Sequence, residues 1–198
     1  MSMQIFVEGG GDAKTTLTKC RQGFAEYCAK LAPHKHRPSI VACGGRQQAF
    51  DRFRTAILNS GTGEQFALLV DSEGPVTSRT AVEHLQTRDG WDFASLRNFD
   101  VFLMVQAMEA WFLADRETLA AFYDGGFLAN RLPGSATSIE IIPKDDLEPK
   151  LKHASRQTQK GEYHKTKHGF AILAQLDPSK VGNASAQARD FNQFLRVL

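Results

Sequence analysis

Phe66-Ala67-Leu68-Leu69-Val70 is five apolar residues without a polar interruption, ending on Asp71. A run this short predicts a strand, and one with no polar alternation predicts a strand buried on both faces, the environment of a parallel sheet. Three further runs have the same texture: Met3 to Val7, Ser39 to Cys43 and Val101 to Val105. Longer stretches with helical spacing separate them. From Thr15 to about Leu31, the residues Leu17, Phe24, Tyr27, Cys28 and Leu31 suit one helix face, and Pro33 stops the pattern. Phe50, Phe53, Ile57 and Leu58 form the apolar stripe of a second helix with Gly61 beyond its end. A third helix is expected from about Ser78 to Gln86, and a fourth begins near Ala107. Strand and helix patterns that alternate in this way predict an α/β fold, a mainly parallel sheet flanked by helices, over residues 1–124.

Beyond Asp124 the texture changes. Gly125-Gly126, Pro133-Gly134 and a Ser/Thr stretch make a loop, and short polar helices follow, so residues 125–198 read as a loop plus a basic, mostly helical extension packed on the core. A chain of 198 residues, 42% hydrophobic, is long enough for one sizeable core with such an appendage. No internal repeat or low-complexity block interrupts it. No stretch approaches the roughly 18 apolar residues of a membrane span, and MSMQIFVEGG has no basic region leading into an apolar signal core. The expectation is a cytoplasmic protein with no membrane partner. Cys20, Cys28 and Cys43 are odd in number and lack CxxC spacing, which suggests buried thiols rather than a disulfide framework or zinc ribbon. Trp91 and Trp111 could serve an interface as easily as a core.

Ligands of open α/β sheets bind beyond the carboxyl ends of the strands, and acids stand there in this sequence. Glu8 follows the first strand directly, and Asp71 and Glu73 follow the third. Carboxylates at i and i+2 leaving a strand project to one side, so Asp71 and Glu73 can share a divalent cation. Hard oxygen ligands favour Mg²⁺ or Mn²⁺, and no His-Cys cluster competes. An Asp after a strand also caps loops, and a Glu beside glycines also sits in solvated turns. Three acids on one sheet edge, however, would repel one another by several kcal/mol at low effective dielectric without a neutralising cation. Glu109, at the start of the helix after the fourth strand, is a fourth candidate, although an acid at a helix N-terminus has a sufficient reason to be there.

Gly9 to Thr15 superficially suggests a phosphate loop, but the register fails. GxxxxGK[ST] ending at Lys14 requires glycine at positions 8 and 13, which are Glu8 and Ala13. A GxGxxG dinucleotide fingerprint fails as well, because no third glycine follows at the right spacing.

The combination Val7-Glu8-Gly9-Gly10-Gly11-Asp12 and Leu69-Val70-Asp71-Ser72-Glu73-Gly74 resembles a TOPRIM domain, the Rossmann-like fold of topoisomerases, primases and the nuclease half of the overcoming-lysogenization-defect proteins. Glu109 to Asp115 (EAWFLAD), with Tyr163-His164-Lys165 and Phe170-Ala171-Ile172-Leu173, is similar more narrowly to a small stand-alone family of TOPRIM-like proteins, DUF4276. Its members are often encoded beside an ABC/AAA-type ATPase in apparent antiphage defence loci. The resemblance implies that Glu8 is the acid of the first motif, Asp71 and Glu73 the Mg²⁺-holding pair, and Glu109 the acid of the EAW segment. The pair here is Asp-Ser-Glu where the wider fold usually has Asp-x-Asp, and Gly74-Pro75 stands where a further acid is common.

Overall charge is nearly balanced, 24 Lys and Arg against 22 Asp and Glu for a net +2, so any case for nucleic acid rests on where charges sit. Between Lys144 and Gly169 lie Lys144, Lys150, Lys152, Arg156, Lys160, Lys165 and Lys167, with His153, His164 and His168. Asp145, Asp146 and Glu148 would suit a solvated polar helix. The alternative is a phosphate-contacting lobe opposite the acids, with Lys144, Lys150, Lys160, Lys165, Lys167 and His168 on the nucleic-acid backbone and Tyr163 stacking. Lys165 could stabilise charge on a cleaved phosphodiester, and His164 or His168 could transfer a proton.

The expectation is therefore a metal-dependent phosphoryl-transfer enzyme, an endonuclease on DNA or RNA. Glu8, Asp71, Glu73 and Lys165 are its candidate catalytic groups. Glu8, Asp71, Glu73 and Glu109 would hold one or two Mg²⁺ or Mn²⁺ ions. The alternative is a non-catalytic TOPRIM-like effector or regulatory module that docks on a partner ATPase.

Overall fold

The computed structural model describes residues 2–32, 37–134 and 138–198. Four strands, β1 (Ser2–Val7), β2 (Ser39–Ala42), β3 (Glu64–Asp71) and β4 (Phe99–Met104), form one sheet in the order β2-β1-β3-β4. Every neighbouring pair is parallel. Each parallel pairing needs a crossover, and helices supply them: α1 (Lys14–Ala29), α2 (Arg46–Leu58) and α3 (Ala81–Asp89). Six more helices follow among the described residues: α4 (Met108–Ala114), α5 (Arg116–Tyr123), α6 (Lys144–Ser155), α7 (Phe170–Gln175), α8 (Pro178–Ala184) and α9 (Ala186–Arg196). A single π-helical turn, Lys165–Gly169, leads into α7. This is a Rossmann-like α/β fold.

Strand alternation divides the apolar residues between two faces. Ile5, Val7, Ala67 and Leu69 pack with Phe24 and Tyr27 of α1, while Phe6, Phe66, Leu68 and Val70 pack with Phe50 and Phe53 of α2 and Leu85 of α3. From Phe66 to Asp71 every residue is buried, which is why that run shows no alternation. Each such aliphatic or aromatic side chain contributes about 1.5–3 kcal/mol by leaving water. The C-terminal helices join the α1 face: Leu151, Leu173, Val181, Phe191 and Leu195 belong to the same buried cluster as Ile5 and Val7. Gly23 lets α1 cross α7 closely, because a Cβ there would stand 2.6 Å from the Phe170 carbonyl oxygen.

Several expectations shift in detail. The third helix starts at Ala81 rather than near Ser78, because the Thr80 hydroxyl accepts the Glu83 N–H and caps it there. Leu58, read as part of the apolar stripe of α2, is 56% exposed at the helix end. Trp91 and Trp111 are both core residues: Trp91 stacks on Phe50 at 4.5 Å and Trp111 on Tyr27 at 5.1 Å. The three cysteines are free and buried, as expected. Pro33, read as a helix stop, and residues 135–137 of the Ser/Thr loop lie outside the described residues.

Candidate metal centre

In an all-parallel sheet the carboxyl ends of the strands share one edge. Val7 pairs with Ala42 and Leu69, and Asp71 pairs with Met104, so the residues just past these positions meet. Glu8 is the first residue beyond β1, Asp71 closes β3, and Glu73 lies two residues further on. One carboxylate oxygen from each of the three falls within 4.8 Å of the others. A cavity of about 210 Å³ is lined by Glu8, Gly10, Asp71, Met108, Lys165 and Thr166, among others.

Different contacts hold each acid. The Asp71 carboxylate is 4% exposed; its Oδ1 accepts the Met108 N–H at 2.8 Å, and its Oδ2 lies 3.7 Å from Lys165 Nζ. Thus Asp71 caps the first residue of α4 and still turns its second oxygen toward Lys165. Glu8 Oε2 accepts from Arg46 Nη1 at 3.1 Å and from the Asp71 N–H at 3.3 Å. Glu73 does not arrive by strand alternation, since β3 ends at Asp71. Its backbone turns back in the left-handed region, φ 66°, and its N–H donates to the Gln106 carbonyl at 2.9 Å. A non-glycine residue in that region is uncommon and costs about 1 kcal/mol. Glu73 Oε2 pairs with Lys144 Nζ and lies 3.6 Å from Arg88 Nη2.

The glycines serve the closure of this edge. Gly9 (φ 131°) and Gly44 (φ 83°) exchange backbone hydrogen bonds of 2.8 and 3.1 Å, tying the loop after β1 to the loop after β2. A Cβ at Gly44 would lie 2.8 Å from the Gly11 carbonyl oxygen. The link brings Arg46, the first residue of α2, against Glu8.

Burial pushes the Asp71 carboxyl up to about 7, with Glu8 and Glu109 adding to the rise and Lys165 opposing it. Burial likewise raises Glu8, against the pull of the Arg46 guanidinium. For Lys165 burial works against the ammonium, but Asp71, Glu109 and Glu8 more than reverse it, so this amine stays protonated well above the usual lysine range. A carboxyl titrating near neutrality among other acids is a group whose charged form lacks enough positive partners. The donor set fits a hard divalent ion: three carboxylates, with no histidine or cysteine among them.

The remaining candidates divide. Glu109, 4% exposed, lies outside the three-acid group; its Oε1 accepts the Tyr163 hydroxyl at 2.9 Å and pairs with Lys165 Nζ at 3.5 Å. Lys144 and Lys165 reach the acids. Lys150, Lys160 and Lys167 are exposed and, among the described residues, make no ion pair with them; Lys160 lies over the Phe122 ring at 5.2 Å. Tyr163, expected to stack on a base, is 1% exposed and spent on Glu109, so its ring has no free face to offer. His168, expected on a nucleic-acid backbone or in proton transfer, is buried as well. Its Nδ1 lies 3.2 Å from the Tyr123 hydroxyl and accepts the His164 N–H at 3.3 Å, a contact that stabilises the π turn carrying Lys165.

Arg46 was not among the sequence candidates, although it is the most connected residue of the site. It binds Asp89 through Nε at 2.9 Å and Nη2 at 2.7 Å, the Asp71 carbonyl at 2.5 Å and Glu8. The available signal was its position two residues past Cys43-Gly44, at the start of the helix after β2 on the same sheet edge as the acids.

Fold and site together define a Rossmann-like α/β protein with a carboxylate cluster at the C-terminal edge of its sheet. The chain belongs to the family described as a domain of unknown function (DUF4276), whose model matches residues 7–198, from just before Glu8 to the last residue. No curated protein and no solved structure matches it significantly. Among the described residues, no helix is long and apolar enough to cross a membrane.

Proposed function

We propose that this protein is a TOPRIM-like, metal-dependent phosphoryl-transfer enzyme of the cytoplasm, an endonuclease acting on DNA or RNA. In this reading it is related to the nuclease domains of overcoming-lysogenization-defect proteins and works in a defence-type system with an ABC/AAA-type ATPase. The observation that carries the reading is the convergence of Glu8, Asp71 and Glu73 on one point of the sheet edge, beside a cavity lined by Lys165. These three residues would hold Mg²⁺ or Mn²⁺, which when bound supplies charge for activating water and stabilising the leaving oxygen. The chain supplies orientation: Arg46 holds one oxygen of Glu8, and the Met108 N–H holds one oxygen of Asp71. Lys165, fixed between Asp71 and Glu109, places a permanent positive charge at the cavity wall where a phosphate would sit. Exposed Lys160 and Lys167 flank it on the same segment and extend a positive surface for the backbone of a nucleic acid.

A second reading, a non-catalytic module docking on the ATPase, draws on one observation: Glu8, Asp71 and Glu73 each already have a basic side chain within 4 Å. Cleavage of plasmid DNA and tRNA in Mg²⁺ or Mn²⁺ by wild type and Asp71→Ala separates the two. Cleavage that disappears in the variant supports the enzyme. Equal cleavage by both proteins removes this site assignment, and no cleavage together with no Mn²⁺ binding in the presence of nucleic acid leaves the docking module.

A further inference from the structure

Lys165 occupies a particular place among the four acids. It opens the π turn, and its ammonium lies 3.7 Å from Asp71 Oδ2 and 3.5 Å from Glu109 Oε1, between two carboxylates that are almost wholly buried. Glu109 Oε1 also takes the Tyr163 hydroxyl, so this acid is committed to partners on the C-terminal segment and stands apart from the three-acid group. Any second metal ion bridging Asp71 and Glu109 would have to sit where the ammonium is.

We propose that Lys165 is the site's resident second cation: the centre takes one divalent ion, on Glu8, Asp71 and Glu73, and Glu109 serves Lys165 rather than a metal. The proposal rests on the metal reading above and refines it. Charge bookkeeping supports one ion over two. Glu8, Asp71, Glu73 and Glu109 carry four negative charges against three positive on Arg46, Lys144 and Lys165, and the linked pair Arg88 and Asp89 adds one of each. The net charge of −1 becomes +1 with a single divalent ion, which matches the one negative charge of a phosphodiester. Two ions would leave +3 in a partly buried site, a mutual repulsion that low dielectric strengthens.

Counting Mn²⁺ bound to the purified, metal-stripped protein, by electron paramagnetic resonance of the free ion or by calorimetry, tests this without reference to activity. Wild type is expected to bind one equivalent, Lys165→Met two, and Lys165→Met/Glu109→Gln one again. Glu109→Gln alone, which keeps an acceptor for Tyr163 and removes one nearby negative charge, is expected still to bind one equivalent, with affinity lowered only by that lost charge, and it carries the test if Lys165→Met does not fold. Two equivalents in wild type, one in folded Lys165→Met, or loss of an ion in Glu109→Gln would each overturn the assignment. Wild type that binds none overturns the metal reading itself, a result distinct from all of these.

Discussion

Replacing Asp71 by Asn removes a charge from a place where that charge is poorly compensated, so the substitution is expected to stabilise the metal-free protein rather than weaken it. The Asp71 carboxyl is lifted from an ordinary 3.8 to about 7, with burial the largest cause and the opposing attraction of Lys165 already included. A carboxyl with a raised folded value stabilises the fold fully only below its unfolded value, and that contribution is lost as pH climbs through the folded one. The loss amounts to roughly 4 kcal/mol at pH 8, about 2 at pH 5 and under 1 at pH 4. Asn keeps an oxygen for the Met108 N–H and has no charge to lose. In EDTA at pH 8, Asp71→Asn should therefore melt roughly 8–16 °C above wild type, with the gap narrowing steadily toward pH 4. Excess Mn²⁺ should raise the wild-type midpoint at pH 8 and leave that of the variant unmoved. The assay is thermal denaturation by circular dichroism across this pH series. A variant less stable than wild type at pH 8 without metal would refute the reasoning, since Asp71 would then be a satisfied structural acid.

Arg46→Lys keeps the charge but cannot span Asp89, Glu8 and the Asp71 carbonyl together; Mn²⁺ affinity by calorimetry should fall about 10–100-fold, and unchanged affinity would show that Arg46 does not orient Glu8. Gly23→Ala drives a methyl to within 2.6 Å of the Phe170 carbonyl, a backbone atom that cannot step aside alone. Urea denaturation should show a loss of about 1–3 kcal/mol in spite of the better helix propensity of alanine, and a gain in stability would mean that the α1–α7 crossing is looser than described.

The parallel sheet was legible in the sequence because burial on both faces leaves a mark that local reading can detect, namely apolar runs such as Phe66 to Val70 without alternation. Glu8 and Asp71 were legible for a related reason. In parallel topology, residues that end different strands must share an edge, so strand assignment alone brings them together. Glu73 was named for the wrong reason: strand alternation does not reach it, and a left-handed backbone turn tied to Gln106 does. Tyr163 and His168 were misjudged because their polar atoms look solvent-seeking in a basic segment, whereas their partners, Glu109 and Tyr123, lie 54 and 45 residues away.

The sequence by itself determined the α/β class, the sheet edge on which the acids meet and the buried state of the cysteines, all of which follow from hydrophobic period and strand order. Only the tertiary structure decided which charges offset which. Arg46 against Glu8 and Lys165 between Asp71 and Glu109 are contacts over 38, 94 and 56 positions of chain. Electrostatic partnership depends on distance in space and on the dielectric around it, and neither is written in the order of residues along the chain.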